Sequence, residues 1–248
     1  HRVLLAIFDS VDDTVLVTKH ILSEIGIEIR EVCQDKYGQK VLHHLVHPRD
    51  TNYFLQQIVD LLAMGDNNEH SKKQPSDRYT ELFAGIVEPL LTYMAANMRE
   101  LLFNTLSVDL VRHTLQGKGP KDLFERIIPN ELRAGCYAAI TAIAQEEFIP
   151  MNEGQLHLVE DLFTHLVITK IMRSDPQFEV KLSDYLADLP AEQLRAFIGC
   201  QKGCFTLVAM FEHGGAKAQD AVKKAVNPRH LAKYKHSGAM VLRRKLNA

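Results

Sequence analysis

The chain has 248 residues, 46% of them hydrophobic, which is enough for a continuous core, and its formal charge is −2. Gly and Pro number 13 and 9 and Trp is absent, a composition that excludes collagenous, low-complexity and disordered classes. A near-neutral total would also argue against a polyanion partner, but the charge is uneven. Nine of the 29 Lys and Arg and one of the 31 acids, Asp220, lie after Gly214.

Helical periodicity runs through the whole sequence. Val15, Leu16, Lys19, Ile21, Leu22 and Ile25 form an amphipathic stretch that Asp12 and Asp13 can cap. Tyr53 to Ala63 is a second such stretch, and Leu82 to Met98 a third, with Pro89 near a helix start or a kink. Between them Met64 to Asp77 is polar, Asn-rich and Pro-containing, which predicts an exposed loop near 64–78. Leu115-Gln116-Gly117-Lys118-Gly119-Pro120 predicts a turn. Helices follow at Ala134 to Ala144, Leu156 to Met172, Leu182 to Leu186, Ala191 to Ile198, Phe205 to Phe211, Ala216 to Ala225 and Ala239 to Leu246. Pro48, Pro129, Pro150, Pro176, Pro190 and Pro228 fall between the apolar stretches. No alternating strand pattern occurs, so the expected fold class is all-α.

A frame recurs along these helices: a small residue, two variable ones, an aliphatic pair, one variable residue, then more aliphatics. Its clearest copy is Gly38-Gln39-Lys40-Val41-Leu42-His43. Counted from the first variable residue, copies start at 1, 39, 108, 165, 204 and 239, and three of the gaps are 38, 39 and 35 residues. A period of this size predicts a right-handed α-solenoid of stacked helix pairs, armadillo- or HEAT-like, in which each unit buries its apolar face against its neighbours. No linker separates domains, so residues 1–248 are expected to form one array, with the long gaps marking an insertion or a degenerate unit. His1 is not an initiator methionine and the chain opens in a helical pattern; a fragment from the C-terminal part of a longer protein is expected.

Positions i, i+1 and i+4 of the frame should share one patch about the size of a base, while Val41 and Leu42 turn to the core. The six triads are His1/Arg2/Leu5, Gln39/Lys40/His43, Val108/Asp109/Arg112, His165/Leu166/Thr169, Cys204/Phe205/Val208 and Ala239/Met240/Arg243. None joins an edge-reading pair to a stacking partner, although Gln39/Lys40/His43 is polar throughout. Base reading is therefore not expected, whereas phosphate binding by Lys and Arg, which would be sequence-independent, stays open. The basic tail (Lys217, Lys223, Lys224, Arg229, Lys233, Lys235, Arg243, Arg244 and Lys245) is the richest electrostatic candidate, against the plainer reading of a solvated terminal cap.

Catalytic and metal chemistry find no pattern. His43, His44 and His47 lie near Asp50, but no nucleophile or second carboxylate is placed by spacing. Cys33, Cys136, Cys200 and Cys204 lack metal-ligand spacing and read as reduced thiols. Gly117-Lys118-Gly119 is not a phosphate-cradling loop. The apolar runs fall short of the ~18 residues of a membrane span. No enzyme activity, cofactor, metal or membrane partner is expected.

Four segments in order, Val3 to Thr14, Asp35 to Leu42, His47-Pro48-Arg49-Asp50 and Gly65 to Lys73, resemble the C-terminal half of the Puf-A (Penguin) family of atypical Pumilio-repeat proteins. The resemblance is strongest over residues 1–80. From Ser107 onward it rests on the helical frame, with Leu156-His157-Leu158 and His165-Leu166-Val167 fitting well. It implies an L-shaped repeat array, of which this chain holds about the last five or six units. It also implies RNA binding (pre-rRNA or mRNA) and DNA binding without base specificity, a role in large ribosomal subunit maturation, residence in the nucleus and nucleolus, pre-ribosomal proteins as further candidate partners, and a monomer. The family's contacts map onto Lys36 and Lys40, then Lys202 and Arg243. With the frame positions Gln39, His43, Arg112 and His165 and the tail cations Lys223, Lys224, Arg229, Lys233, Lys235 and Arg244, these make up the expected nucleic-acid surface. The rival expectation is an armadillo- or HEAT-type protein scaffold with little nucleic-acid contact.

Overall fold

A computed structural model describes residues 1–66, 69–116, 127–152 and 154–247. Among these residues the chain is built of helices and their connections, with no strand. Asn67 and Asn68 of the predicted loop, and Gly117 to Pro120 of the predicted turn, lie outside the described residues.

The six frame copies fall on six helices: Arg2–Ser10, Lys36–Val46, Val108–Gln116, Leu162–Ser174, Gln201–His213 and Ser237–Leu246. Each packs against the next in that order, so together they form one layer, the ladder. A second layer runs alongside it through the stretch from Thr14 to Ile27, then Pro75–Ala96, Asn130–Ala144, Leu182–Leu186 and Ala216–Ala225, again each against the next. One hydrophobic cluster extends between the layers from Phe8 to Leu242, which is the continuous core a solenoid requires.

The ladder helices start where their sequences dictate. Asp35 accepts hydrogen bonds from Tyr37 N and Gly38 N, and Asp161 from Phe163 N and Thr164 N, satisfying amides left open at a helix start. The small frame residue is set by crowding. A Cβ on Gly203 would lie 2.3 Å from Phe197 O, and one on Gly238 2.4 Å from Gln201 O. Where the frame has Ser or Thr instead, the hydroxyl bonds the same kind of carbonyl six residues back, as Ser107 does to Leu101 O at 2.9 Å and Thr164 to Leu158 O at 2.5 Å.

Several predicted boundaries move. The loop expected near 64–78 ends at Gln74, because Pro75 opens a 22-residue helix with its fixed φ at a position needing no N–H donor. Arg78, expected at the loop's end, is buried and bonds Asp12. Pro89 sits inside that helix, not at its start, and packs near Gly26. The helix expected from Tyr53 begins at Gln56, and the one expected from Leu156 begins at Leu162, since Leu158 and Val159 enter the core from a non-helical segment. Asp13 caps its helix as expected, accepting from Leu16 N at 2.9 Å.

Candidate nucleic-acid interface

The frame predicts that positions i, i+1 and i+4 share an open patch; the structure keeps only part of this. Position i is buried in the second to sixth copies, at Gln39, Val108, His165, Cys204 and Ala239. Where it is polar, its side chain is spent on the preceding turn: Gln39 Nε2 donates to Cys33 O at 2.7 Å, and Cys204 Sγ lies 3.8 Å from Ile198 O. His165 Nδ1 is 2.8 Å from Asp161 O. Position i+4 is buried at Leu5, His43, Thr169 and Val208, half-buried at Arg112 and exposed at Arg243. Gln39, His43 and His165 are thus mostly enclosed in this structure, the first and third bonded to the preceding turn and His43 covered by Tyr53. Position i+1 alone is at least partly open to solvent in all six copies, at Arg2, Lys40, Asp109, Leu166, Phe205 and Met240.

The ladder is strongly cationic. Its six helices hold ten of the 29 Lys and Arg but only three of the 31 acids. Each of those acids is already paired: Asp9 with Arg49, Asp109 with Arg112, and Glu212 with Lys245. Among the described residues Arg2, Lys36, Lys40, Arg173, Arg243 and Arg244 have no acidic partner on this face. Arg112 is held 2.7 Å from Asp109, and Lys202 Nζ donates to Glu160 O at 2.7 Å, so both are anchored beside the open cations. Arg173 was missed at the sequence level. It stands seven residues after Leu166, two helical turns on and therefore on the same face, a signal the frame's shorter reach left out.

The basic tail does not stay together. Arg243 and Arg244 are exposed on the last ladder helix, but Lys223 and Lys224 belong to Ala216–Ala225 in the opposite layer. Arg229 lies on the short helix Pro228–Leu231, and Lys233 and Lys235 in the non-helical stretch that follows it. Lys217 is neutralised by Asp188 at 2.8 Å.

The second unit carries a cluster of which the sequence showed His43, His47 and Asp50 but not Tyr53 and His113. Residues 48–55, here the strap, leave helix Lys36–Val46 and return across it. The Tyr53 ring stacks on His43 with centroids 3.8 Å apart and planes 16° from parallel, and its hydroxyl is 3.2 Å from His113 Nε2. Asp50 Oδ2 lies 3.2 Å from His47 Nδ1 and 3.8 Å from His113 Nδ1. Burial pushes His43 down to about 3 and His113 to about 4, so both rings are neutral. Among the described residues this cluster does not have metal-binding geometry. Arg49, at φ 56°, anchors the strap to Asp9 at 2.8 Å and to Asp66 at 2.6 Å.

Residues 34–183 match the model of the CPL (NUC119) domain family. Pumilio domain-containing protein 12 of Caenorhabditis elegans is 40% identical over 250 residues, covering 100% of this chain and 33% of that protein. The chain belongs to the Puf-A family of atypical Pumilio-repeat proteins. Pumilio homolog 3 of Mus musculus, 30% identical over 235 residues, covers 92% of the chain and 35% of its own length. The crystal structure of human Puf-A superposes with a TM-score of 0.85 at 28% identity, over 99% of this chain and 47% of that one. A second human Puf-A structure, in complex with DNA, gives a TM-score of 0.81 over 98% and 46%. The chain therefore spans about a third of the length of the curated relatives it matches, and the likeness extends well past the segments over 1–80 that first suggested the family. The Puf-A fold is a Pumilio-type α-solenoid, and the two-layer arrangement here agrees with it.

No helix among the described residues is long and apolar enough to cross a membrane. Cys33, Cys136 and Cys204 are buried and Cys200 half-buried, all as free thiols.

Proposed function

We propose that this chain binds the sugar-phosphate backbone of RNA and DNA along its ladder face, without reading bases. The observation that carries this is the charge segregation: a chain of net charge −2 places ten cations against three already-paired acids on one layer of helices. Phosphate contacts need point charges and forks at solvent, which Lys36, Lys40, Arg173, Arg243 and Arg244 supply. Base reading needs open edge-reading side chains, and Gln39 and His165 are enclosed. The DNA complex of human Puf-A supports the same reading. The test is binding of unrelated RNA and DNA oligomers across a salt series. Affinity should fall steeply with salt and vary little with sequence; absence of binding at low salt rejects the reading.

Within the cell, family membership supports a monomeric factor acting on pre-rRNA during large-subunit maturation in the nucleolus, alongside pre-ribosomal proteins. Accumulation of large-subunit pre-rRNA intermediates on depletion, and nucleolar fluorescence of the tagged full-length protein, test this. Unchanged processing and a diffuse signal reject it.

A second reading is favoured by one observation. On the C-terminal half of the ladder Leu162, Phe163 and Leu166 of one helix are 52%, 48% and 41% exposed, apolar surface suited to a protein partner. Association that survives nuclease and high salt, and is lost in Leu166→Asp, would support this scaffold role.

A further inference from the structure

We infer that Tyr53 fills a nucleobase-sized site in the second unit and is the residue that makes this unit blind to base identity. The inference rests on the nucleic-acid reading above. Gln39, Lys40 and His43 form the one frame triad that is polar throughout, and its i+4 ring already has a planar aromatic partner. Tyr53 lies on His43 at 3.8 Å and 16°, the separation and near-parallel geometry of a stacked base. Its hydroxyl reaches His113 Nε2 at 3.2 Å. Arg112, the i+4 residue of the next ladder helix, is half-buried in the same unit-to-unit seam. A base in place of the phenol ring would stack on His43 and meet His113 and Arg112 along its edge.

Two further observations support an occupied site over ordinary core packing. His43 Nδ1, on the ring that Tyr53 covers, is buried without a hydrogen-bond partner, a cost that a well-filled core avoids. Tyr53 itself is only half-buried, so it covers the site from the solvent side. The strap that delivers it is set by Arg49, whose left-handed backbone, at φ 56°, is held by its bonds to Asp9 and Asp66.

The experiment uses the full chain, wild type and Tyr53→Ala, with fluorescein-labelled 12-mers of adenylate, uridylate and cytidylate RNA in a low-salt anisotropy titration. Wild type should bind the three within about twofold of one another, as backbone binding requires. Tyr53→Ala should favour the adenylate oligomer over uridylate by about fivefold or more, because adenine stacks best on an exposed ring. Tyr53→Phe keeps the ring and should stay flat. Adding His43→Ala to Tyr53→Ala removes the floor and should abolish the preference. Should Tyr53→Ala not fold, Tyr53→Val, which keeps a branched carbon against His43, carries the same expectation. A folded Tyr53→Ala protein that binds all three oligomers equally overturns the inference, as does a Tyr53→Phe protein that gains the same preference. Failure of wild type and variants alike to bind any oligomer instead overturns the nucleic-acid reading and this inference with it.

Discussion

Asp9 Oδ2 accepts a hydrogen bond from Arg49 Nε at 2.8 Å, joining the first ladder helix to the strap that carries Tyr53. The same carboxylate accepts from the Tyr79 hydroxyl at 2.7 Å and faces His44 Nε2 at 3.0 Å, so four elements converge on one buried anion.

Asp9→Asn should therefore destabilise the chain by about 3 kcal/mol, since it removes the buried anion on which Arg49, His44 and Tyr79 converge, leaving Arg49 only Asp66. Burial alone would raise the Asp9 carboxyl, but the His44 bond and charge, then Tyr79 and Arg49, outweigh it and hold the group below the ordinary carboxylate range. A depressed acid contributes its stability fully above the unfolded value of about 4 and loses it as pH falls through the folded one. Denaturant midpoints of wild type and variant should thus converge as pH falls below about 4; a gap that stays constant on acidification counts against Asp9 as the anchor.

The histidine cluster sets a second pH dependence. His43 at about 3 and His113 at about 4 are held neutral chiefly by burial. Unfolded histidines take up protons near about pH 6.5 while these do not, so stability is complete above that pH and falls on acidification. Each deeply buried ring should cost about 1.4 kcal/mol per pH unit below 6.5. The melting temperature should drop between about pH 7 and pH 5, and the double variant His43→Gln/His113→Gln should have a shallower slope.

Charge placement separates the two layers. Reversing Lys36 and Lys40, or Arg243 and Arg244, to Glu should weaken oligonucleotide binding and lower the salt slope by about 0.7–0.9 for each phosphate no longer neutralised. Reversing Lys223 and Lys224, which lie in the opposite layer, should change both little. Equal weakening from both layers would show that net charge, not the ladder face, governs binding.

The small frame residue makes a sharp stability test. Gly203→Ala would push a methyl to 2.3 Å from Phe197 O, a backbone atom with no freedom to yield. A loss of about 2–3 kcal/mol is expected from such overpacking. Gly135→Ala, whose methyl would meet Ala95 Cβ at 3.8 Å in ordinary contact, should be mild by comparison in the same chemical denaturation series.

Much of the fold is legible in the sequence because the signals are local. The frame located all six ladder helices, since small residues and aliphatic pairs at helical spacing follow from close packing with the neighbouring units. Asp13, Asp35 and Asp161 cap helices, as short-range hydrogen bonding dictates. Helix starts were misplaced where a proline or a core contact decided them, as at Pro75 and at Leu158.

Sequence alone determined the helical class, the period of the array and the family, because these depend on residue type and on spacing within one helix. Tertiary structure decided which frame positions see solvent. Gln39 and His165 are enclosed by bonds to the preceding turn, His43 by a tyrosine ten residues on, and the basic tail is divided between two layers. Each of these depends on contacts between segments whose separation along the chain carries no information about their distance in space.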